Sequence, residues 1–246
     1  MFSFFRRNSR IEVNLSGIGT DMHSHVLPGI DDGSPDTETS VQLIRGLTEL
    51  GYKKLIPTPH IMWDLYRNDA TTIGAAIQQL RPECEKEGLM APVHAAAEYY
   101  MDDYFDSLVE EGKPLRTLKD NWVLIEFSFV GAPVNLKQKI FDLQIKGYQP
   151  VIAHPERYNY LLSGKKLYDE LKELGCLFQL NLLSLTSYYG RIPQELARYL
   201  IRKGYINLLG TDLHHQRHLQ VLQTTPRIME PVNALLDSGK LMNNTL

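Results

Sequence analysis

Asn121-Trp122-Val123-Leu124-Ile125-Glu126-Phe127 is apolar almost throughout and carries a carboxylate near its end. A strand with one wet face would alternate apolar and polar residues, whereas an unbroken apolar run suits a strand covered on both faces, as in a parallel sheet flanked by helices. The plan repeats on either side. Upstream, Thr20 to His25 opens the series, Lys54-Leu55-Ile56-Pro57-Thr58-Pro59 runs into His60, and Val93-His94-Ala95-Ala96-Ala97 runs into Glu98. Downstream, Pro150-Val151-Ile152-Ala153 delivers His154, Leu177 to Asn181 follows, and Ile206 to Gly210 delivers Thr211-Asp212-Leu213-His214.

Helical patterns separate these runs. Ser34 as N-cap with Pro35 behind it opens a helix to Gly51, and Ala70 to Glu87 follows, bent or shortened at Pro82. The others are Asp102 to Glu110, Leu136 to Ile145, Lys165 to Leu174, Pro193 to Arg202, and 219 to 236 with interruptions at Pro226 and Pro231. Seven strands alternating with helices predict parallel pairing through right-handed crossovers, and a closed or nearly closed α/β barrel suits the count better than an open sheet. The chain of 246 residues shows no linker or low-complexity run, so residues 20–246 are expected as one domain after an N-terminal extension, 1–19.

Composition narrows the function. A net charge of -3 and the lack of any Lys/Arg block with interleaved aromatics give no basis for binding nucleic acid. Two cysteines, Cys84 and Cys176, are too few for a disulfide framework and point to a reducing cytoplasm. Neither has an arginine placed after it as a Cys-x5-Arg phosphatase loop requires. The apolar opening Met1-Phe2-Ser3-Phe4-Phe5 is too short for a signal peptide core or a membrane span; it is expected as a loosely docked terminus, with contact to a membrane surface as the alternative.

Six of the seven predicted strands carry a histidine, aspartate or glutamate at or just past the carboxyl end: His23 and His25, His60, Glu98, Glu126, His154, then Asp212 and His214. In a parallel barrel these ends form one rim, the place where such barrels hold their active sites, and Asp32 reaches it from the first loop. Each residue alone has a bland reading, a turn cap for His60, an arginine partner for Glu98, a helix N-cap for Asp212. Together they do not, because buried carboxylates converging on one rim repel unless cations neutralise them. Five histidines and four carboxylates exceed the needs of one ion, so two or three divalent ions sharing a bridging carboxylate are expected. With imidazole and carboxylate donors and no thiolate, manganese, iron or zinc fits. Three such ions against four carboxylates leave a charge of about +2, which attracts a phosphate dianion. His94 is expected as a core residue, and His215 and His218 as exposed or supporting ones.

The motifs Asp21-Met22-His23-Ser24-His25 with Asp31-Asp32-Gly33, Thr58-Pro59-His60, Ala97-Glu98-Tyr99-Tyr100, Leu124-Ile125-Glu126-Phe127, Ala153-His154-Pro155-Glu156-Arg157-Tyr158 and Thr211-Asp212-Leu213-His214 resemble the PHP (polymerase and histidinol phosphatase) family of metal-dependent phosphoesterases. Within it, they resemble the bacterial tyrosine phosphatases of capsule and exopolysaccharide synthesis. The resemblance runs from Asp21 to about His218. It implies a distorted seven-stranded parallel barrel with a trinuclear, often manganese-dependent site: His23, His25, Glu98 and Asp212 on one ion; Glu98, Glu126 and His154 on a second; Asp32, His60 and His214 on a third. It further implies Arg157 as a phosphate-binding residue, Arg217 as a second, and as substrate the tyrosine-rich tail of a membrane-bound autokinase. The expected reaction is in-line attack on phosphorus by a metal-activated hydroxide, with Tyr99, Tyr100 or Tyr158 packing on the substrate ring. A phosphatase for histidinol phosphate or another small molecule, and a non-catalytic kinase-binding module, stand as alternatives.

Overall fold

The computed structural model describes residues 13–92 and 94–246; the apolar opening Met1 to Phe5 and most of the expected extension lie outside the described residues. Among the described residues, eight short strands form two parallel sheets. β1 (Thr20–Asp21) pairs with β2 (Lys54–Leu55). The larger sheet runs in chain order: β3 (His60–Ile61), β4 (Glu98–Tyr100), β5 (Trp122–Glu126), β6 (Gln149–Ala153), β7 (Leu177–Asn181) and β8 (Leu208–Gly210).

One expected strand, 54–60, is therefore two. Pro57 and Pro59 have no N–H to give to a ladder, so regular pairing with β1 stops after Leu55 and pairing with β4 begins at His60. Glu98 begins β4 instead of closing a strand over 93–98. The Ala95 carbonyl just before it accepts from the Arg116 side chain, at 3.0 Å from Nε and 2.7 Å from Nη2, and so is taken up outside the ladder.

The segment after β1 holds the curl of the sheet. Asp212 N donates to His23 O at 2.7 Å and His25 N to Leu213 O at 2.9 Å, while Thr58 N donates to Ser24 O at 2.9 Å on the other side. Residues 21–25 thus touch both the end of β8 and the approach to β3, the two edges of the larger sheet.

Strand side chains alternate between two apolar layers, as the period of 2 demands. Leu124, Val151, Ala153 and Leu208 join Met22 and Ile56 inside the curl. Val123, Ile125, Ile152, Phe178 and Leu209 face the helices in the main core. Glu126 shares the parity of Leu124, so a carboxylate is delivered to the inner side at the strand end.

The helices are α1 (Thr37–Glu49), α2 (Ala70–Lys86), α3 (Asp103–Glu110), α4 (Leu136–Ile145), α5 (Lys166–Glu173), α6 (Arg191–Lys203), α7 (Gln216–Thr224) and α8 (Met229–Asp237). The cap of α1 is Asp36, whose carboxylate accepts from Thr39 N at 2.8 Å; Ser34, the expected cap, instead donates its hydroxyl to Asp36 O at 2.9 Å. Pro82 lies within α2 without ending it. Pro226 does break the last helical stretch, into α7 and α8, and Pro231 falls in the first turn of α8, where a missing N–H leaves no intrahelical bond unmade. Among the described residues, no helix is long and apolar enough to cross a membrane.

Candidate metal centre

A cavity of about 280 Å³ opens at the carboxyl ends of the strands. Its lining includes Asp32, His60, Glu98, Glu126, His154, Asp212 and His214, while His23 and His25 sit fully buried beneath. All nine residues picked from the sequence as metal ligands are brought together.

Glu98 is the hub. Its Oε2 lies 3.2 Å from His23 Nε2, 3.3 Å from His25 Nε2 and 3.2 Å from His60 Nδ1, and its Oε1 lies 3.1 Å from His154 Nε2. Asp212 Oδ1 is 3.4 Å from each of His23 Nε2, His25 Nε2 and His214 Nδ1. Glu126 approaches His154 Nε2 at 3.5 Å, and the half-exposed Asp32 approaches His60 and His214 Nε2 at 3.5 and 3.6 Å. Among the described residues, four groups have donor atoms mutually within 4.8 Å: His23, His25 and Glu98; His23, His154 and Asp212; His60, Glu98 and Glu126; and His25, Asp32, His60 and His214. The three ligand sets implied by the resemblance overlap these groups, with His25 added to the Asp32 group and His60 beside Glu98 and Glu126.

The backbone is bent to achieve this. His154 has φ 29° and Asp212 φ 50°, conformations that side-chain-bearing residues seldom adopt and that surrounding structure must impose.

Three observations fit this set to divalent cations. Glu98 Oε2, His60 Nδ1 and His154 Nδ1 are buried without a hydrogen-bond partner. The Nε2 atoms of His23 and His25 face each other at 3.3 Å, where only one of two neutral rings can carry a proton between them. Burial and the charge of Glu98 push Glu126 well above the ordinary carboxylate range, an unfavourable ionisation that a bound cation would relieve. Glu98 itself is held well below that range: burial opposes ionisation, but the charges of His23 and His60 outweigh it. Burial, reinforced by the charge of Arg157, brings His154 down to about 4, which leaves a neutral ring able to donate a lone pair.

Several supporting residues carry no signal in the sequence strong enough to single them out. Asp31 Oδ2 lies 2.8 Å from His25 Nδ1 and accepts His60 N at 3.1 Å. Its carboxyl sits at about 2, since the charge of His25 overcomes a burial that would raise it. Gln179 Oε1 lies 2.8 Å from His23 Nδ1 and accepts His154 N at 3.1 Å, and Asn181 Nδ2 donates to Asp212 Oδ2 at 2.7 Å. Each fixes the orientation of a candidate ligand from behind.

Arg157 enters the cavity and donates from Nη1 to Asp212 Oδ2 at 2.6 Å, its guanidinium lying between the rings of Phe129 and Tyr189, 4.8 and 4.3 Å from their centroids. Arg217 does not line the cavity; it is exposed on α7, 5.8 Å from the Tyr188 ring. Two of the tyrosines considered for a substrate ring are committed elsewhere. Tyr158 is fully buried and its hydroxyl joins Phe127 N to Ala153 O, while buried Tyr99 accepts Arg116 N. Tyr100 is not part of the lining. His94 is half-buried with Nε2 3.2 Å from Leu118 O, whereas His215 and His218 both reach the cavity wall.

The sequence matches, over residues 19–236, the family described as capsular polysaccharide synthesis, CpsB/CapC. The chain belongs to this family. It is 32% identical over 197 residues to the tyrosine-protein phosphatase YwqE of Bacillus subtilis, covering 79% of this chain and 77% of that one. It is 29% identical over 203 residues to the tyrosine-protein phosphatase CpsB of Streptococcus pneumoniae, covering 79% and 82% respectively. Among solved structures, it superposes on one from a study of YwqE and CpsB, described as metal-dependent tyrosine phosphatases, with a TM-score of 0.73 and 30% identity over 89% of this chain and 94% of that one. A phosphotriesterase homology protein from Escherichia coli shares the fold at a TM-score of 0.50 and 14% identity, over 88% of this chain and 94% of that one.

Proposed function

We propose that this CpsB/CapC chain is a metal-dependent protein-tyrosine phosphatase, its residues 20–246 forming one distorted barrel that is seven-stranded when β2 and β3 are counted as the two halves of one interrupted strand. The observation that carries the reading is Glu98 at the centre of four imidazoles, with a buried oxygen that takes no hydrogen bond. His23, His25, Glu98 and Asp212 would hold one ion, Glu98, Glu126 and His154 a second, and Asp32, His60 and His214 a third, with manganese the first choice and iron or zinc the alternatives. Bound there, divalent ions supply Lewis acidity and a water acidic enough to serve as a nucleophile near neutral pH.

The chain's own residues do the rest. Arg157 presents a guanidinium fixed by Asp212 and by two rings, ready to take two phosphoryl oxygens side by side. Gln179, Asn181 and Asp31 keep the ligand atoms aimed inward. A tyrosine leaving group, with a pKa of about 10, departs with less protonation than an alkyl alcohol needs, so an aryl ester asks less of this wall as a general acid. The substrate we assign is the phosphotyrosine-bearing tail of a membrane-bound tyrosine autokinase in capsule or exopolysaccharide synthesis, met at the cytoplasmic face of the membrane. The homologues named as tyrosine phosphatases support the aryl ester over histidinol phosphate.

The test is hydrolysis of a phosphotyrosine peptide by protein stripped with chelator and reloaded with Mn, beside His154→Ala and with histidinol phosphate as rival substrate. Metal-restored peptide hydrolysis, lost in the variant, is the expected result. Preference for histidinol phosphate would overturn the substrate, and inactivity on both would overturn the enzyme reading.

A further inference from the structure

Of the twelve residues lining the cavity, ten are charged groups or imidazoles and two carry six-membered aromatic rings, Phe129 and Tyr189. The two rings flank Arg157 but are not alike. Tyr189 packs edge-on against Tyr188 at 5.0 Å and His218 at 6.1 Å, and its hydroxyl lies 3.4 Å from Asn181 Nδ2, so it is tied into the wall. Phe129 covers His154 at 5.8 Å with planes 24° apart and Arg157 at 4.8 Å, yet remains 47% exposed. It stands in the uncharged stretch Ser128-Phe129-Val130-Gly131-Ala132-Pro133-Val134, with Val130 92% and Val134 81% exposed. A phenylalanine that covers two polar site residues, touches the Tyr158 ring at 5.8 Å and still leaves about half of itself in water at the mouth of a charged cavity has an unspent apolar surface.

We infer that Phe129 is the residue that contacts the ring of the substrate's tyrosine and selects aryl over alkyl phosphoesters. This rests on the phosphatase reading above. A phosphoryl group drawn to Arg157 and the ligand cluster is joined to its aromatic ring through a single oxygen, so the ring must lie at the cavity mouth beside Arg157. Phe129 is the one exposed hydrocarbon ring there among the lining residues. Offset or edge contact between rings stabilises at centroid separations of about 4.5–7 Å. An alkyl phosphate places nothing of comparable size against it. Val130 and Val134, exposed in the same uncharged stretch, offer further apolar surface to the residues flanking the phosphotyrosine.

The experiment is calorimetric binding of two non-hydrolysable anions, phenylphosphonate and methylphosphonate, to the Mn-loaded protein, read as the ratio of their dissociation constants in wild type, Phe129→Ala and Phe129→Trp. In wild type phenylphosphonate binds the tighter, the preference falls by roughly tenfold in Phe129→Ala, and the tryptophan variant retains it. An equal weakening of both anions in Phe129→Ala would mean that Phe129 only props Arg157, and an unchanged ratio would mean that the ring goes elsewhere; either overturns the inference. Parallel kinetics on a phosphotyrosine peptide keep the two readings apart. Wild-type protein that hydrolyses no phosphotyrosine fails the proposed function, whereas an active wild type with an unchanged ratio fails only the assignment of Phe129.

Discussion

Asp31 backs His25 in the metal centre, with carboxylate Oδ2 2.8 Å from the imidazole Nδ1 and the side chains of both fully buried. The contact fixes which nitrogen of His25 faces inward, and the same oxygen accepts the backbone N–H of His60, so one carboxylate aligns two candidate ligands. Outer partners of this type change metal affinity by about 10–100-fold when removed. Asp31→Asn preserves shape but loses the charge, and Mn affinity measured by titration calorimetry is expected to fall within that range while circular dichroism stays as in wild type. An unchanged affinity would show that Asp31 is only a loop constraint, satisfied by its bond from Gly33 N at 3.0 Å.

Arg157 and Arg217 separate on geometry. The first is held in the cavity by Asp212, with a guanidinium more basic than usual because burial is outweighed by the charge of Asp212; the second is exposed beyond the wall. Loss of one preorganised donor to a developing charge costs about 10²–10³ in rate. Arg157→Ala is expected to lower kcat/KM on a phosphotyrosine peptide by that factor, and Arg217→Ala by less than about tenfold. A larger loss from Arg217 would mean that α7 swings toward the cavity when substrate binds.

Both thiols are shielded, which sets the pH and reagent response. Burial pushes Cys84 up to about 11 and Cys176 up to about 12, against ordinary values near 9. The folded state holds these protons more tightly than the unfolded chain does. Their contribution to stability is thus complete below pH 9 and lost as pH rises through about 11 for Cys84 and about 12 for Cys176. At neutral pH an alkylating reagent is expected to leave activity intact and to label neither cysteine without denaturant. Denaturant midpoints are expected to fall on raising the pH through that range, and to fall less in Cys84→Ala once its lower starting stability is subtracted. Rapid inactivation by alkylation, with no effect of chelator, would contradict a metal-based reaction.

The ligands were legible in the sequence because strands buried on both faces read as apolar runs, and a His or carboxylate at the end of such a run stands out. Glu126, His154 and Asp212 all announce themselves this way. The break of 54–60 into β2 and β3 was visible as Pro57 and Pro59 but not its consequence, since a missing donor matters only once a partner strand is known. Phe129, Tyr189, Gln179 and Asn181 were not legible. An aromatic in a loop or an amide on a strand is commonplace, and only the fold shows that Gln179 sits at an inward position otherwise filled by hydrocarbon. Asp31 belongs to the motif Asp31-Asp32-Gly33, yet nothing in the spacing distinguishes the carboxylate that supports His25 from its neighbour Asp32, which faces His60 and His214.

Gly33 closes the loop that carries both aspartates, and its lack of a side chain is a matter of space. A Cβ there would stand 2.1 Å from the carbonyl oxygen of His25 and 2.4 Å from its Cβ, distances no packing adjustment of a side-chain tip can relieve. The obstacle is the backbone of a candidate ligand, already tied on both sides: His25 O accepts Ser34 N at 2.9 Å, and His25 N donates to Leu213 O. Gly33→Ala must therefore displace either the loop that holds Asp31 and Asp32 or the strand extension that holds His23 and His25. Overpacking of this kind costs about 1–3 kcal/mol, visible as a lower denaturant midpoint. Metal affinity is expected to fall more steeply than stability, because ligand geometry tolerates far less displacement than the fold does. A variant with reduced stability but wild-type Mn affinity would show that the 29–33 loop moves as a unit independent of the centre, and would remove Asp32 from the ligand set proposed for the third ion.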